Sequence, residues 1–361
     1  MREIMVNLGA RSYAVQIGPG LLDAVGPACA RLRLGRRAAV VTQPAVGPHA
    51  HRVTESLRGA GFDPAVLMVT EGEESKSLRE AERLWDAFVT HGLDRGSPVV
   101  AVGGGVVGDL AGFAGSAFMR GLPVVQVPTT LLAQVDASIG GKVAVNHPRG
   151  KNLIGAFHQP RLVMIDPQSL RTLPEREYRS GLAEVVKTGA ALDADLFRSL
   201  ETGLEALRRR DADLLEAVVA TCCEAKARIV ERDEREETGL RMVLNYGHTV
   251  GHALEALSGY RRWLHGEAVA IGMAAAGRLA VRMGWADANS AARQEALLEG
   301  VGLPTRFGGI APSEIADALR HDKKARDGRV PFILMRSVGR AEVCHDVPGE
   351  MVLQALQEIQ Q

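Results

Sequence analysis

The sequence predicts an α/β N-terminal domain with a parallel sheet, residues 1–167, followed by a mainly α-helical domain, residues 168–361. Three observations predict it. The 361 residues exceed one typical domain and suit two. The first part alternates short apolar runs with helical stretches, the pattern of a parallel sheet covered on both faces. Beyond about Pro167 long helical stretches take over and strand signals become few. A cleft between an α/β half and a helical half is a common ligand site, and the active site is expected there.

Each element has its own signal. Ile4 to Leu8 and Tyr13 to Ile17 alternate as a hairpin around Gly9. Ala38 to Thr42, Ala65 to Thr70, Val99 to Val102, Val124 to Val127 and Leu162 to Ile165 are short apolar runs of the kind that form buried strands. Ser75 is placed as the cap of a helix running to about His91. In the second part, helices are expected over Arg176 to Ala191, Leu204 to Asp233, Leu240 to Ser258 and Glu267 to Met283, with Pro331 to Met335 the best strand.

Composition narrows the function classes. Lys+Arg and Asp+Glu both number 43, so the formal charge is zero. Nucleic acid is therefore not expected as a partner, since phosphate-backbone binding needs a basic surplus. The four cysteines, Cys29, Cys222, Cys223 and Cys344, form no CxxC pair and are read as reduced, mostly buried thiols of a cytoplasmic protein. The N-terminus has no apolar signal-peptide core, and no run of about 18 apolar residues predicts a membrane span.

Two turns in the first domain suit a nucleotide. Gly103, Gly105 and Gly108 satisfy G-x-G-x-x-G directly after a strand and before a helical pattern, where backbone amides can approach a pyrophosphate. The motif follows a late strand rather than the first, and no acidic residue stands about 20 positions on to hold a ribose. A tight strand–helix turn is the bland alternative; nucleotide binding in a non-standard Rossmann-like domain is favoured. Thr129 and Thr130 place two hydroxyls at the carboxyl end of the next strand, although threonines also cap helices routinely.

The second domain carries polar groups where apolar ones are expected. Arg241, Asn245, His248 and His252 stand at offsets 0, 4, 7 and 11, within a helical stripe of roughly 60°. Flanked by Val243, Leu244, Val250 and Leu254, such a stripe is costly unless it meets a ligand, metal or charged partner. Gly247 and Gly251 weaken that helix but permit close approach of another group. Glu184 and Lys187 form a charged pair inside an apolar helix, and His265 precedes an Ala- and Gly-rich helix. One carboxylate and two imidazoles suit a divalent ion with positions left open for substrate oxygens.

Taken together these segments resemble the 3-dehydroquinate synthase family of the sugar-phosphate cyclase superfamily. The resemblance spans most of the chain, from residues 71–76 to Asp322-Lys-Lys324. It rests on Gly-Gly-Gly-Val-Val-Gly-Asp109, the run from Pro128 to Lys142, Gly-Lys-Asn152, Leu-Ala-Glu-Val-Val-Lys187, Leu-Asn-Tyr-Gly-His-Thr-Val-Gly-His252 and Leu-His-Gly-Glu267. The family implies zinc or cobalt held by Glu184, His248 and His265. It implies NAD+ bound by Glu71, Glu74, Lys76, Gly104, Gly105, Val106, Asp109, Thr129, Thr130, Lys142, Lys151, Ser169 and Thr172. Asp136, Lys142, Asn152, Lys187, Lys226, Arg241 and Asn245 match substrate-holding positions, and His252 a proton-transfer residue. Arg120 matches a phosphate-binding arginine that reaches the neighbouring subunit, which implies a homodimer. Lys324, or its neighbour Lys323, completes the phosphate pocket. The loop from Asp233 to Arg241 is one residue longer than the family's, so its acidic site residue is Glu236 or Glu237, and the placement of Lys226 relative to Arg241 is also open.

The reaction so implied converts 3-deoxy-D-arabino-heptulosonate 7-phosphate to 3-dehydroquinate and phosphate. A sister cyclase of secondary metabolism would share fold, NAD and metal but tends to alter the positions of Arg241, Asn245 and His252. A metal-dependent polyol dehydrogenase would release NADH stoichiometrically, and a non-enzymatic nucleotide-binding protein would tolerate loss of Glu184, His248 and His265.

Overall fold

The computed structural model describes residues 1–320 and 331–361. In chain order the strands and α-helices are β1 (Arg2–Val6), β2 (Tyr13–Ile17), α1 (Val25–Arg31), β3 (Arg37–Thr42), α2 (Gly47–Gly59), β4 (Asp63–Met68), α3 (Leu78–Thr90), β5 (Val99–Gly103), α4 (Gly105–Ala117), β6 (Val124–Pro128), β7 (Lys142–His147), β8 (Gly150–Phe157) and β9 (Leu162–Ile165). There follow α5 (Glu175–Leu192), α6 (Ala194–Thr202), α7 (Leu204–Arg208), α8 (Ala212–Arg232), α9 (His248–Leu257), α10 (His265–Arg282), α11 (Ala288–Gly300), α12 (Pro312–Arg320), β10 (Phe332–Ser337), β11 (Arg340–Cys344) and α13 (Gly349–Glu358). The chain divides into two compact units, the first of Met1–Leu173 with Leu215–Arg235, the second of Pro174–Leu214 with Glu236–Gln361. Most of α8 thus returns to the first unit, and that unit's leading segment runs to Leu173 rather than to 167.

The first unit is built on a seven-stranded sheet in the order β1-β2-β9-β6-β5-β3-β4. Only the β1–β2 pair is antiparallel. Successive side chains on a strand face opposite sides, and β5 shows the consequence. Val99 and Ala101 join one apolar cluster with Leu84 and Phe88 of α3 and Leu110 and Ala111 of α4. Val100 and Val102 join another with Val25 of α1 and Val53 and Leu57 of α2. A strand buried on both faces must be apolar throughout, which is why these runs could be read from the sequence. The β7–β8 hairpin is a separate two-stranded sheet, with Gly112 of α4 so close to Val143 that an added Cβ would lie 2.3 Å from its Cγ1. All four cysteines are free and buried.

In the second unit α10 is the central helix, packed against α5, α9, α11, α13 and β10. Its sequence, HGEAVAIGMAAAG, supplies the small side chains that such crowding needs. A Cβ on Gly272 would lie 1.9 Å from the Gly247 carbonyl oxygen, and one on Gly266 1.9 Å from that of Ser180. Glu267 locks the start of α10, accepting from the Leu264 N–H at 2.8 Å and pairing with both Nε and Nη2 of Arg176 at 2.7 Å. Among the described residues no helix is long and apolar enough to cross a membrane.

Three helical expectations are corrected. The stretch 240–258 is not one helix: a 3-10 turn over Leu240–Asn245 ends at Tyr246, Gly247 takes φ 79°, and α9 starts at His248. Arg241 and Asn245 therefore do not share a helical stripe with His248 and His252, because a left-handed residue breaks the periodicity between them. The stretch 204–233 is split between α7 and α8, with Arg210 at φ 57°. The cap of α3 is Ser77, whose Oγ accepts from the Glu80 N–H at 3.2 Å; Ser75 instead donates to the Gly72 carbonyl at 2.8 Å. The β7–β8 hairpin and β11 carried no strand prediction.

Candidate metal centre and nucleotide-binding segments

The second unit gathers three histidines and two carboxylates. Glu184 sits on α5, a helix buried along most of its length, and its side chain is 1% exposed. Nε2 of His248 and Nε2 of His265 each lie 3.6 Å from the same Glu184 oxygen, Oε1. Among the described residues neither Glu184 oxygen has a hydrogen bond of proper geometry. The Lys187 ammonium, one turn along α5 and equally buried, forms an ion pair with Oε2. Lys187 answers Oε2 alone; Oε1, kept from water and turned to the two imidazoles, is the oxygen that a further cation would complete.

The imidazoles are oriented for that cation. Nδ1 of His248 is 3.1 Å from the Tyr246 carbonyl oxygen, which can only accept, so this nitrogen carries the proton and Nε2 presents its lone pair. Burial, with Lys187 and the neighbouring imidazoles adding to it, holds the His248 pKa well below the usual histidine value, so the ring is neutral. Nδ1 of His265 lies 3.3 Å from Oε2 of Glu255, a carboxylate 3% exposed. Burial lowers the His265 pKa, but the Glu184 and Glu255 carboxylates on either side outweigh it and push it up to about 10. The ligating atoms of Glu184, His248 and His265 all lie within 4.8 Å of one another. Donors about 2.0–2.1 Å from a tetrahedral zinc stand roughly 3.3 Å apart, close to the observed 3.6 Å spacings, so the residues fit a zinc or cobalt ion.

His252 is exposed one turn after His248, its ring centroid 5.2 Å from that of His248 and 6.0 Å from that of His265. Lys187 and Arg241 are buried, Asn245 and Glu236 half-buried, and Glu237 exposed. Lys323 and Lys324 lie outside the described residues. Glu255 was missed by sequence reasoning. The signal existed, because it stands seven residues after His248 on the same helical face.

In the first unit Lys76 is a hub. Its ammonium, 4% exposed, donates to Asp109 Oδ2 at 2.7 Å and to Asn152 Oδ1 at 2.5 Å, with Glu73 3.7 Å away. Burial raises the Asp109 pKa, and Lys76 opposes this. Asn152 holds φ 55° in β8, and its N–H donates to Asn146 Oδ1 at 2.9 Å. Asp136 pairs with Lys226 of α8, whose Nζ also donates to the Asp136 carbonyl at 2.6 Å.

The glycine turn leads straight into α4, with Gly104 at the N-cap, Gly105 and Val106 in the first turn and Asp109 beyond. Gly108 has a packing role as well, since a Cβ there would lie 2.8 Å from Gln126 Oε1. Thr130 behaves as a cap, its Oγ1 accepting from the Ala133 N–H at 3.2 Å. The Thr129 hydroxyl is buried and has no hydrogen-bond partner among the described residues. An orphaned hydroxyl beside a glycine-lined helix N-terminus fits a phosphate-bearing ligand. Gln134 donates to Ser169 Oγ at 3.0 Å, Thr172 Oγ1 is 3.0 Å from His49 Nε2, and Glu71 accepts from the Ala45 N–H at 2.9 Å. Glu74 lies in the short 3-10 turn over Glu73–Ser75. Lys142 opens β7, and Lys151 is in β8. Arg120 is exposed, and both Met119 (φ 49°) and Arg120 (φ 67°) are left-handed.

Residues 66–180 match the 3-dehydroquinate synthase N-terminal family and residues 181–325 the 3-dehydroquinate synthase C-terminal family. The 3-dehydroquinate synthase of Desulforamulus reducens is 51% identical over 360 residues, covering 99% of this chain and all of the relative. A solved 2-deoxy-scyllo-inosose synthase, complexed with carbaglucose-6-phosphate, NAD+ and Co2+, superposes with a TM-score of 0.89 at 28% identity, over 99% of each chain. The 2-epi-5-epi-valiolone synthase of Streptomyces hygroscopicus subsp. jinggangensis, with NAD+ and Zn2+ bound, gives 0.88 at 30% identity, over 99% of this chain and 98% of that one.

Proposed function

The chain belongs to the 3-dehydroquinate synthase family, and from that premise we propose that it converts 3-deoxy-D-arabino-heptulosonate 7-phosphate to 3-dehydroquinate and phosphate in the cytoplasm. NAD+ and zinc or cobalt are its cofactors. The identity to named 3-dehydroquinate synthases far exceeds that to the two sister cyclases, which makes those chemistries second choices. The structural observation that carries metal dependence is the buried Glu184 carboxylate with Nε2 of His248 and of His265 aimed at it.

The reaction oxidises C5, eliminates phosphate, reduces C5 again, opens the ring and closes a new one by intramolecular aldol addition. The redox changes cancel. When bound, the metal supplies Lewis-acid polarisation of substrate oxygens and NAD+ takes up and returns a hydride. Glu184, His248 and His265 hold the ion with positions left for substrate. His252, exposed beside the two ligand rings, relays the substrate hydroxyl proton. Buried Arg241 and half-buried Asn245, together with Lys187, bind carboxylate and hydroxyls and hold the substrate coiled for closure. Glu236 is the favoured acidic residue of this group. The substrate's own phosphate can accept the proton in the elimination, so no further protein base is needed.

The first unit supplies the dinucleotide segments and more substrate groups. Gly104, Gly105 and Val106 offer backbone amides, Thr129 an unused hydroxyl, and Asp109 a carboxylate fixed by Lys76. Glu71, Glu74, Thr130, Lys142, Lys151, Ser169 and Thr172 complete the NAD+ set. Asp136, Lys226, Lys142 and Asn152 are assigned to substrate. Arg120 serves the phosphate pocket of a second copy in a homodimer, and Lys324 the pocket of its own. The test is to supply zinc and NAD+ with either the heptulosonate phosphate or a hexose 6-phosphate. 3-Dehydroquinate from the first alone supports the reading; a carbocycle from the hexose phosphate alone moves the chain to the sister cyclases.

A further inference from the structure

The two histidines facing Glu184 are held in different ways. His248 sets its Nδ1 against a neutral backbone carbonyl, that of Tyr246, at 3.1 Å. His265 sets its Nδ1 against the carboxylate of Glu255 at 3.3 Å. Glu255 is 3% exposed and lies on α9, two turns after His248, so one helix carries one imidazole of the metal set and the holder of the other. His265 needs a holder more than His248 does. Both open their helices, but the His265 side chain is 31% exposed and that of His248 only 9%, so less packing restricts the His265 ring.

We infer that Glu255 is a positioning residue of the metal centre, fixing His265 in the tautomer and rotation that present Nε2 to the ion. The inference rests on the reading of Glu184, His248 and His265 as the ligand set. Its chemistry is general. A ligating imidazole offers one nitrogen and keeps its proton on the other, and an acceptor there selects the tautomer. A carboxylate acceptor also raises the electron density of the ring, which strengthens its bond to a cation. Burial of Glu255 concentrates both effects, because a charge-assisted hydrogen bond kept from water is stronger than one in it.

The test compares zinc affinity, by chelator competition, and the absorption of the cobalt-loaded protein across five chains: wild type, Glu255→Ala, Glu255→Gln, His265→Ala and His248→Ala. Folding is followed separately by circular dichroism. Glu255→Ala is expected to lose roughly 10- to 100-fold in zinc affinity and to shift the cobalt bands. Glu255→Gln keeps an acceptor for the Nδ1 proton but not the charge, so it is expected to lose less, though at least about 3-fold. Wild-type affinity with unchanged cobalt bands in Glu255→Ala overturns the inference. If that variant does not fold, wild-type affinity in Glu255→Gln overturns it instead. If His265→Ala and His248→Ala also keep wild-type affinity, the ligand set itself is wrong, and that outcome is distinct from failure of Glu255 alone.

Discussion

Nε2 of His248 lies 3.6 Å from Oε1 of Glu184, and the other nitrogen of the same ring is committed to the Tyr246 carbonyl. His248 thus turns the lone pair of Nε2 toward that carboxylate oxygen, and His265 sets its own Nε2 at the same 3.6 Å from it out of α10.

Loss of any one of the three donors should therefore cost most of the metal. Glu184→Ala, His248→Ala and His265→Ala are each expected to weaken zinc by more than about 100-fold, beyond what loss of an outer-shell partner costs. Equilibrium dialysis checks it. Retention of stoichiometric zinc by two of the three variants would sink the assignment.

Lys187 and Glu184 are both buried, so removing the ammonium strands a carboxylate. Lys187→Met should destabilise the metal-free protein by about 3–5 kcal/mol. Zinc should recover part of that loss, because an ion bound only by the folded chain also supplies the missing positive charge. Denaturant unfolding with and without zinc reads the difference; an equal loss in both conditions contradicts it.

Lys76 ties Asp109, beside the glycine turn, to Asn152 on β8. Lys76→Met removes two hydrogen bonds made by a buried charge. It should weaken NAD+ by roughly 10- to 100-fold, the value of such bonds. Zinc affinity should stay within about two-fold, since sites without shared partners behave independently. Calorimetry of both ligands decides it, and unchanged NAD+ binding is the contrary result.

Arg120 is exposed on a backbone with two successive left-handed residues, a costly conformation for side chains with a Cβ. Mixing Arg120→Ala with Glu184→Ala chains should restore activity above either parent, because one site of the mixed dimer regains both groups. Verified heterodimers with no gain would confine Arg120 to its own chain.

The sheet was legible where burial was two-sided. Leu162–Ile165 is apolar at every position because both of its faces are covered, and its bounds could be read directly. β8 was not legible, since its GKNLIGAF is mostly exposed and carries no alternation. The helix over 240–258 was misread because apolar spacing continues through Tyr246 and Gly247, while the break lies in the backbone, with Tyr246 at ψ 127° and Gly247 at φ 79°. The metal donors could be named individually, yet their convergence depends on α10 touching α5 at Gly266 and Ser180 and α9 at Gly272 and Gly247. Such contacts join residues distant in sequence, and no local pattern encodes them. Glu255 was within reach of the helical periodicity that picked out His248 and His252 but was assigned no role.

The most direct measurement is a turnover assay of metal-stripped protein with the heptulosonate phosphate and far less NAD+ than substrate, before and after zinc is restored. The expected result is no product without metal. With zinc, 3-dehydroquinate and phosphate should appear in equal amounts, well beyond the NAD+ supplied, with no build-up of NADH. NADH accumulating in step with product, or full turnover by the metal-free protein, would contradict a zinc-dependent cyclase that returns its hydride.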